Sequence, residues 1–142
     1  MDHVVYLDAK AKEFEKLIEG TKSMIIRGAA GRKMPYERVF EGDLLYFIRN
    51  NGEGLFIAKA KVSFVYNSEK MTKEESIQLV DNYKEKLNLS PVQSKRWMGK
   101  RYLVLIEIED LAEIEPFEID RSKCGAMDDW LPVEDIDMIK KK

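Results

Sequence analysis

A long alternating segment, residues 56–66, constrains the fold more than any other part of the chain. Apolar or aromatic side chains occupy every second position from Phe56 to Tyr66, and Lys59, Lys61 and Ser63 stand between them. Because neighbouring side chains of a β-strand point to opposite faces, the pattern predicts one long strand with a single buried face, typical of a small barrel. The predicted buried face contains Phe56, Ala58, Ala60, Val62, Phe64 and Tyr66.

Shorter apolar segments predict the remaining strands. Asn50 to Gly54 form a turn-rich segment that predicts a hairpin leading into the long strand. Pro116 is expected at an edge of the sheet, because proline cannot donate a ladder hydrogen bond. The predicted short strands cover residues 4–7, 23–27, 43–49, 101–109 and 114–119.

Two main helices are predicted between the strands. The first runs from the capping residue Asp8 to about residue 19, where Gly20 supplies a left-handed cap. The second covers about residues 72–87 and begins with a capping box made by Thr72 and Glu75. The predicted apolar stripes contain Phe14, Leu17 and Ile18 in the first helix and Ile77, Val80 and Leu87 in the second.

This set of elements predicts an α+β fold. Five to six mostly antiparallel strands with two helices do not alternate regularly, which argues against a doubly wound α/β sheet. The expected architecture is a small β-barrel, closed or nearly closed, with the two main helices flanking or plugging it. At 142 residues without a dividing linker, the chain is interpreted as one domain, 1–142, with a flexible basic tail at 139–142.

Composition argues against several classes of protein. No segment approaches 18 uninterrupted apolar residues and no signal peptide is evident, so we expect a soluble, cytoplasmic monomer without a membrane partner. Cys124 is the single cysteine and His3 the single histidine. They provide neither metal-ligand spacing nor a nucleophile with its base, so we expect no metal, no cofactor and no Ser-His-Asp triad. No phosphate-binding GxxxxGK[ST] loop is present either.

The charges are partitioned along the chain, although the net charge is only −2. Residues 21–61 contain eight basic and four acidic residues, whereas residues 107–137 contain two and twelve. Such asymmetry is compatible with one face that attracts a polyanion and another that keeps the protein soluble. The alternative is that the charges only solvate a small domain. The acidic run from Glu107 to Glu118 is interpreted as a solvated face, since hard cations need oxygens that converge on one point.

Basic residues around the second strand and the loop 28–40, which we interpret as mobile, suit an RNA backbone. Arginine holds a phosphate through two parallel N–H groups while lysine acts as a point charge. Trp97, framed by four basic residues, is a candidate stacking platform for an unpaired base, whereas Trp130 is predicted to close the core. The candidate RNA-binding residues are Lys22, Arg27, Arg32, Lys33, Arg38, Trp97 and Arg101. The alternative is an ordinary surface role, with Arg27 paired to Glu41 or Asp43.

The segment Gly20-Thr21-Lys22, followed by Arg27 and by Gly42-Asp43 at the start of the next strand, resembles the ASCH domains of the PUA-like superfamily. The resemblance covers most of the chain and implies a small β-barrel associated with RNA. It places the cleft between Lys22, Arg27 and the loop 28–40. Asp43 resembles a recurrent turn residue of these folds and is interpreted as setting the start of a strand.

Some ASCH relatives remove an acyl group from a modified cytidine. The resemblance implies a lysine and a threonine on the strand after the first helix, with a glutamate supplied from elsewhere. Lys22 matches the lysine, but Ile25 stands at the threonine position, and Ser23 is the nearest hydroxyl on the same strand face. Enzymatic activity is therefore left open, with catalysis less favoured than binding.

Three functions remain open at this point. The first is an RNA- or nucleotide-binding module that uses a basic cleft. The second is an amidohydrolase of the same fold, acting on an acylated nucleoside through Lys22 and Ser23. The third is a protein-interaction module that uses the acidic C-terminal face.

Overall fold

The computed structural model describes residues 1–124 and 129–141 and contains one curled six-stranded sheet. The strand order is β2-β5-β4-β3-β1-β6, and neighbouring strands are antiparallel except for the parallel pair β1 and β3. This confirms the predicted α+β class with mostly antiparallel strands. The strands are β1 Asp2–Leu7, β2 Met24–Ala29, β3 Leu44–Arg49, β4 Leu55–Asn67, β5 Tyr102–Glu118 and β6 Trp130–Val133.

Four α-helices and two 3₁₀ turns accompany the sheet within the described residues. The helices are α1 Glu13–Glu19, α2 Lys73–Asn82, α3 Lys84–Leu87 and α4 Pro91–Trp97. The 3₁₀ turns are Arg121–Lys123 and Ile136–Ile139. Within residues 1–124 and 129–141, no helix has the length and apolar character needed to cross a membrane.

The helix α1 begins later than the sequence predicts. Asp8 Oδ1 accepts a hydrogen bond from the backbone N–H of Ala11, which holds a turn ahead of the helix, and Lys12 takes a left-handed conformation immediately before Glu13. The predicted end is confirmed, since Gly20 caps the helix with φ 81°. Ile18 was wrongly placed on the apolar face and is 42% exposed.

The segment 72–97 forms three helices rather than the one predicted. The capping box of Thr72 and Glu75 is confirmed, but the helix ends at Asn82 and a separate short helix follows. The helix α4 was missed. Its signal is present in the sequence, because Ser90 and Gln93 form a second capping box with Pro91 at the first helical position. Ile77, predicted on the apolar stripe, is partly exposed.

The long strand β4 is confirmed, but β-bulges change which way its side chains point. Ala58, Ala60 and Val62 pack in one core cluster as predicted. A register shift between Val62 and Phe64 moves Phe64 to the opposite face, where it packs near Trp97. A bulge adds a residue to one strand, so the period of two is broken there.

The strand β5 is one strand of 17 residues, whereas the sequence predicted two. Its first part lies between β2 and β4, and a core cluster covers each of its faces: Val104 and Ile106 pack on one side, Leu103 and Leu105 on the other. Beyond Glu107 its strand partner is β4, although the N–H of Ile108 still donates to the backbone oxygen of Ser23 and the backbone oxygen of Glu118 accepts from the N–H of Lys141. The exposed acidic residues of the C-terminal half lie on this part of the strand, and Pro116 falls at a register shift there. Proline, bulges and charge all hinder the addition of another strand.

The loop 28–40 is anchored by two buried side chains, a feature that the sequence did not indicate. Tyr36 and Val39 pack in the main core, and the Tyr36 hydroxyl donates a hydrogen bond to the backbone oxygen of Ser68. Trp130 is buried in the same cluster, as predicted. At the C-terminus, Ile139 is buried and Lys141 hydrogen-bonds to Glu118, while Lys142 of the predicted tail lies outside the described residues.

Candidate functional site

Arg27 bridges the two ends of the curled sheet. It lies on the edge strand β2, and its Nη2 donates a hydrogen bond of 2.7 Å to the backbone oxygen of Tyr6 on β1. Its Nε lies 3.0 Å from Oδ2 of Asp129, and the backbone oxygen of Asp129 accepts from the N–H of Tyr6. Backbone hydrogen bonds do not pair β2 with β1, so the Arg27 side chain closes the gap between these two strands, which we call the seam.

A cleft of about 600 Å³ opens beside this seam. Four basic side chains line it, and three carboxylates are interspersed with them. The polar amides of Asn50 and Gln93 also face the space. The basic residues are Lys10, Arg27, Arg96 and Arg121, and the acidic residues are Asp8, Glu13 and Asp129.

Two tryptophans enclose the Arg27 guanidinium. Its central carbon lies 6.0 Å from the ring centroid of Trp97 and 5.6 Å from that of Trp130, within the range of cation–π attraction. Arg96 lies over the Trp97 ring at 4.4 Å. Trp97 is only 5% exposed, so Arg96 provides the planar surface that is presented to solvent.

A buried ion pair forms the floor below the cleft. Lys22 and Glu13 are 2% and 3% exposed, and Lys22 Nζ lies 3.6 Å from Glu13 Oε2 while also donating to the backbone oxygen of Leu87. Glu13 Oε1 accepts a hydrogen bond from the N–H of Asp8. Burial lowers the pKa of Lys22 to about 8, against the opposing effect of the Glu13 charge.

The buried histidine belongs to a separate polar network that holds strands together. Trp130 Nε1 donates to His3 Nδ1 at 3.1 Å, so His3 Nε2 carries the proton and donates to Asp43 Oδ2 at 2.8 Å. Burial lowers the pKa of His3, which favours this neutral form. Asp43 also accepts from the N–H of Phe40. These contacts connect β1 and β6 to the start of β3.

The structure brings only some of the predicted site residues together. Arg27 and Trp97 line the cleft, and Lys22 lies behind Glu13 beneath it. Ile25 is fully buried in the main core, and Ser23 is not among the residues that line the cleft. The predicted residues that lie outside the cleft, all exposed, are Arg32, Lys33, Arg38 and Arg101.

The residues outside the cleft form an outer basic group, defined here as Arg32, Lys33, Arg38 and Arg101. The central guanidinium carbon of Arg32 lies 5.6 Å from the ring centroid of Tyr36 and 5.8 Å from that of Tyr102. Tyr102 follows Arg101 in the chain. In the same loop, the backbone N–H of Glu37 donates a hydrogen bond to Oδ1 of Asn67. This group places positive charge beside the aromatic rings of Tyr36 and Tyr102.

Sequence reasoning missed five residues that shape the cleft. Arg96 was noted only as a neighbour of Trp97, and Arg121 and Lys10 were not considered, because they come from three separate segments of the chain. Glu13 and Asp129 were not singled out as site residues.

No family model matches the chain, and no curated protein matches it. Solved structures do match. A crystal structure of ASCH from Zymomonas mobilis superimposes with a TM-score of 0.69 at 14% identity, covering 94% of this chain and 87% of that one. Two single-residue variants of the same Zymomonas protein each give a TM-score of 0.70 at 14% identity, with 96% of this chain covered and 93% and 91% of theirs. The likeness confirms the expected architecture: the chain has the ASCH fold, built here as a six-stranded curled half-barrel.

Proposed function

We propose that the protein is an ASCH domain that binds single-stranded RNA or a nucleotide through the cleft beside Arg27. The observation that carries the proposal is the convergence of four basic side chains from separate parts of the chain on one concavity. Three carboxylates lie among them, so the cleft has an excess of one positive charge, whereas the whole chain has a net charge of −2. A cleft with an excess of cations attracts phosphates and raises their association rate.

The size and polarity of the cleft support a nucleotide as the group that enters it. A volume of about 600 Å³ lies within the range of sites that accept small ligands. The Arg96 guanidinium, backed by Trp97, offers a flat cationic surface on which an unpaired base can stack. Gln93 Oε1 accepts from the N–H of Ser90, and its Nε2 has no protein acceptor among the described residues, so it can donate to a base edge.

The outer basic group supports contacts with a longer strand. Its members lie on the loop after β2 and at the start of β5, and the Arg32 side chain rests on two tyrosine rings. Exposed basic side chains add phosphate contacts without reading sequence. We expect them to contribute to affinity for an oligonucleotide and little to affinity for a mononucleotide.

Neutralising the cleft rim tests the proposal. We expect Arg96→Gln combined with Arg121→Gln to weaken binding of a labelled single-stranded RNA by about 30-fold at low salt, since two of roughly three to five phosphate contacts are removed. Fluorescence anisotropy at two salt concentrations, with duplex DNA as competitor, measures this. The salt dependence should fall by about 0.7 per lost contact.

Lys59→Gln combined with Lys61→Gln is the matched control. Both lysines are exposed on β4 and do not line the cleft, so the net charge changes equally but at a different place. Equal losses in the two double variants would mean that binding is a property of total charge. Absence of RNA binding by the wild-type protein at low salt would contradict the proposal directly.

An amidohydrolase is the second candidate, favoured by the Lys22–Glu13 pair. A lysine whose pKa is lowered to about 8 by burial is suited to proton transfer near neutral pH, and its partner Glu13 lines the cleft. We expect such an enzyme to release the acid from an acylated nucleoside, and Lys22→Met to abolish the release. Liquid chromatography of the products measures it. Turnover that persists in a folded Lys22→Met variant excludes Lys22 from the chemistry.

A further inference from the structure

The contact between Arg27 and Asp129 is an ion pair without a hydrogen bond. The two charged groups lie 3.0 Å apart, yet the Nε–H of Arg27 is not directed at the carboxylate. Within residues 1–124 and 129–141, this Nε is the one buried side-chain nitrogen or oxygen that lacks a hydrogen-bond partner. Arg27 is 6% exposed and faces the cleft, and a buried donor without an acceptor is unfavourable.

Each of the other two guanidinium nitrogens of Arg27 already donates one hydrogen bond. Nη1 donates to the backbone oxygen of Ile26 and Nη2 to that of Tyr6. Trp97 and Trp130 lie against the guanidinium. Nε is therefore the guanidinium nitrogen that has no acceptor, and the cleft is the side from which a ligand can approach.

Asp129 holds its position mainly through its backbone. Its carbonyl oxygen accepts from the N–H of Tyr6 at 3.0 Å, while its carboxylate is 27% exposed and lies 3.9 Å from Arg96 Nη2. The carboxylate thus lies between two guanidinium groups, with a well-formed hydrogen bond to neither. Rotation of its side chain would free both cations without disturbing the start of β6.

We propose that the Asp129 carboxylate occupies the position of a nucleotide phosphate, and that the phosphate displaces it from Arg27 and Arg96. This rests on the proposed function, since the phosphate is the one carried by the RNA or nucleotide. A tetrahedral phosphate offers three oxygens in different directions, so one can accept from Arg27 Nε while another meets Arg96. The cleft then discriminates phosphorylated from unphosphorylated nucleosides, and Asp129 limits affinity by competing for the same cations.

Removing the competing carboxylate tests this inference. We expect Asp129→Asn to raise affinity for uridine 5′-monophosphate by about tenfold, because a negative charge near the bound phosphate is lost. Affinity for uridine should stay unchanged. Isothermal titration calorimetry of the full chain measures both. Asp129→Ala removes the carboxylate without introducing the amide of asparagine, and should give the same gain in affinity. Thermal unfolding verifies that each variant is folded.

Asp81→Asn on α2 is the matched control, because it removes the same charge from an exposed position outside the cleft. An unchanged or weaker affinity for the monophosphate in both folded Asp129 variants overturns the inference, while RNA binding that depends on Arg96 and Arg121 leaves the proposed function intact. A monophosphate site that strengthens in Asp129→Asn without any RNA binding supports the inference and identifies a free nucleotide as the ligand. A larger gain for RNA than for the monophosphate also supports it and identifies a backbone phosphate.

Discussion

Replacing Lys22 by methionine will lower the free energy of unfolding by about 3 kcal/mol at pH 7, because it leaves a buried carboxylate without its cation. Glu13 is 3% exposed, and apart from Lys22 its described polar contact is the N–H of Asp8. The backbone oxygen of Leu87 loses its donor as well. Urea unfolding monitored by circular dichroism measures the change.

Replacing Glu13, the other member of the pair, should lower the free energy of unfolding by less. In Glu13→Gln, the lysine is left without a carboxylate, but its pKa is already lowered to about 8, so it can release its proton at a modest cost near neutral pH. The glutamine oxygen can still accept from Asp8. We expect the double variant Glu13→Gln, Lys22→Met to regain most of the stability lost in Lys22→Met. Additive losses in this cycle would show that the two side chains are not coupled.

The same pair makes a specific contribution to the pH dependence of stability. Between pH 8 and about pH 10, folded Lys22 has lost its proton while the unfolded chain still binds one, so stability rises with pH. The slope from this group approaches about 1.4 kcal/mol per pH unit. The difference between the wild-type protein and the double variant isolates it, since the other groups that titrate between pH 8 and about pH 10 are common to both.

The strands and helix ends were predictable where local chemistry determines them. Gly20 and the Thr72 capping box appear as expected because a left-handed cap and a reciprocal side-chain bond depend on neighbouring residues. The face of the sheet on which the Phe64 side chain lies was not predictable. Its position depends on a bulge in the pairing of β4 with β5, which involves residues more than forty positions away.

The residues that line the candidate cleft were predictable only in part, for a related reason. Arg27 was singled out because its strand and the neighbouring basic loop are local in sequence. The roles of Arg96 and Asp129 arise only when β2 and the start of β6 meet across the seam. Trp97 was correctly singled out as lying beside positive charge, but its burial follows from packing of α4 on the sheet, which no periodicity near it indicates.

The seam makes Arg27 a second position of large effect, linking the fold to the proposed function. Backbone ladders hold the neighbouring strands of the sheet, but β2 and β1 lie near its two ends and are joined by this side chain. Arg27 thus has two roles: it connects the ends of the half-barrel and presents its free Nε to the cleft. A substitution of Arg27 is therefore expected to affect both stability and RNA binding.

Arg27→Met will lower the free energy of unfolding by about 2 kcal/mol and abolish RNA binding, because it removes the hydrogen bonds that the guanidinium donates to the carbonyl oxygens of Ile26 and Tyr6 and its ion pair with Asp129. Arg49→Met is the matched control. Arg49 also pairs with a carboxylate, Glu15 at 3.1 Å, but it is partly exposed, so the expected loss is at most about 1 kcal/mol with RNA affinity retained. Urea unfolding and anisotropy measure the two effects. Because methionine fills much of the volume of the arginine stem, an Arg27→Met protein of wild-type stability would show that the seam does not need this side chain, and its RNA affinity would then report on the cleft alone.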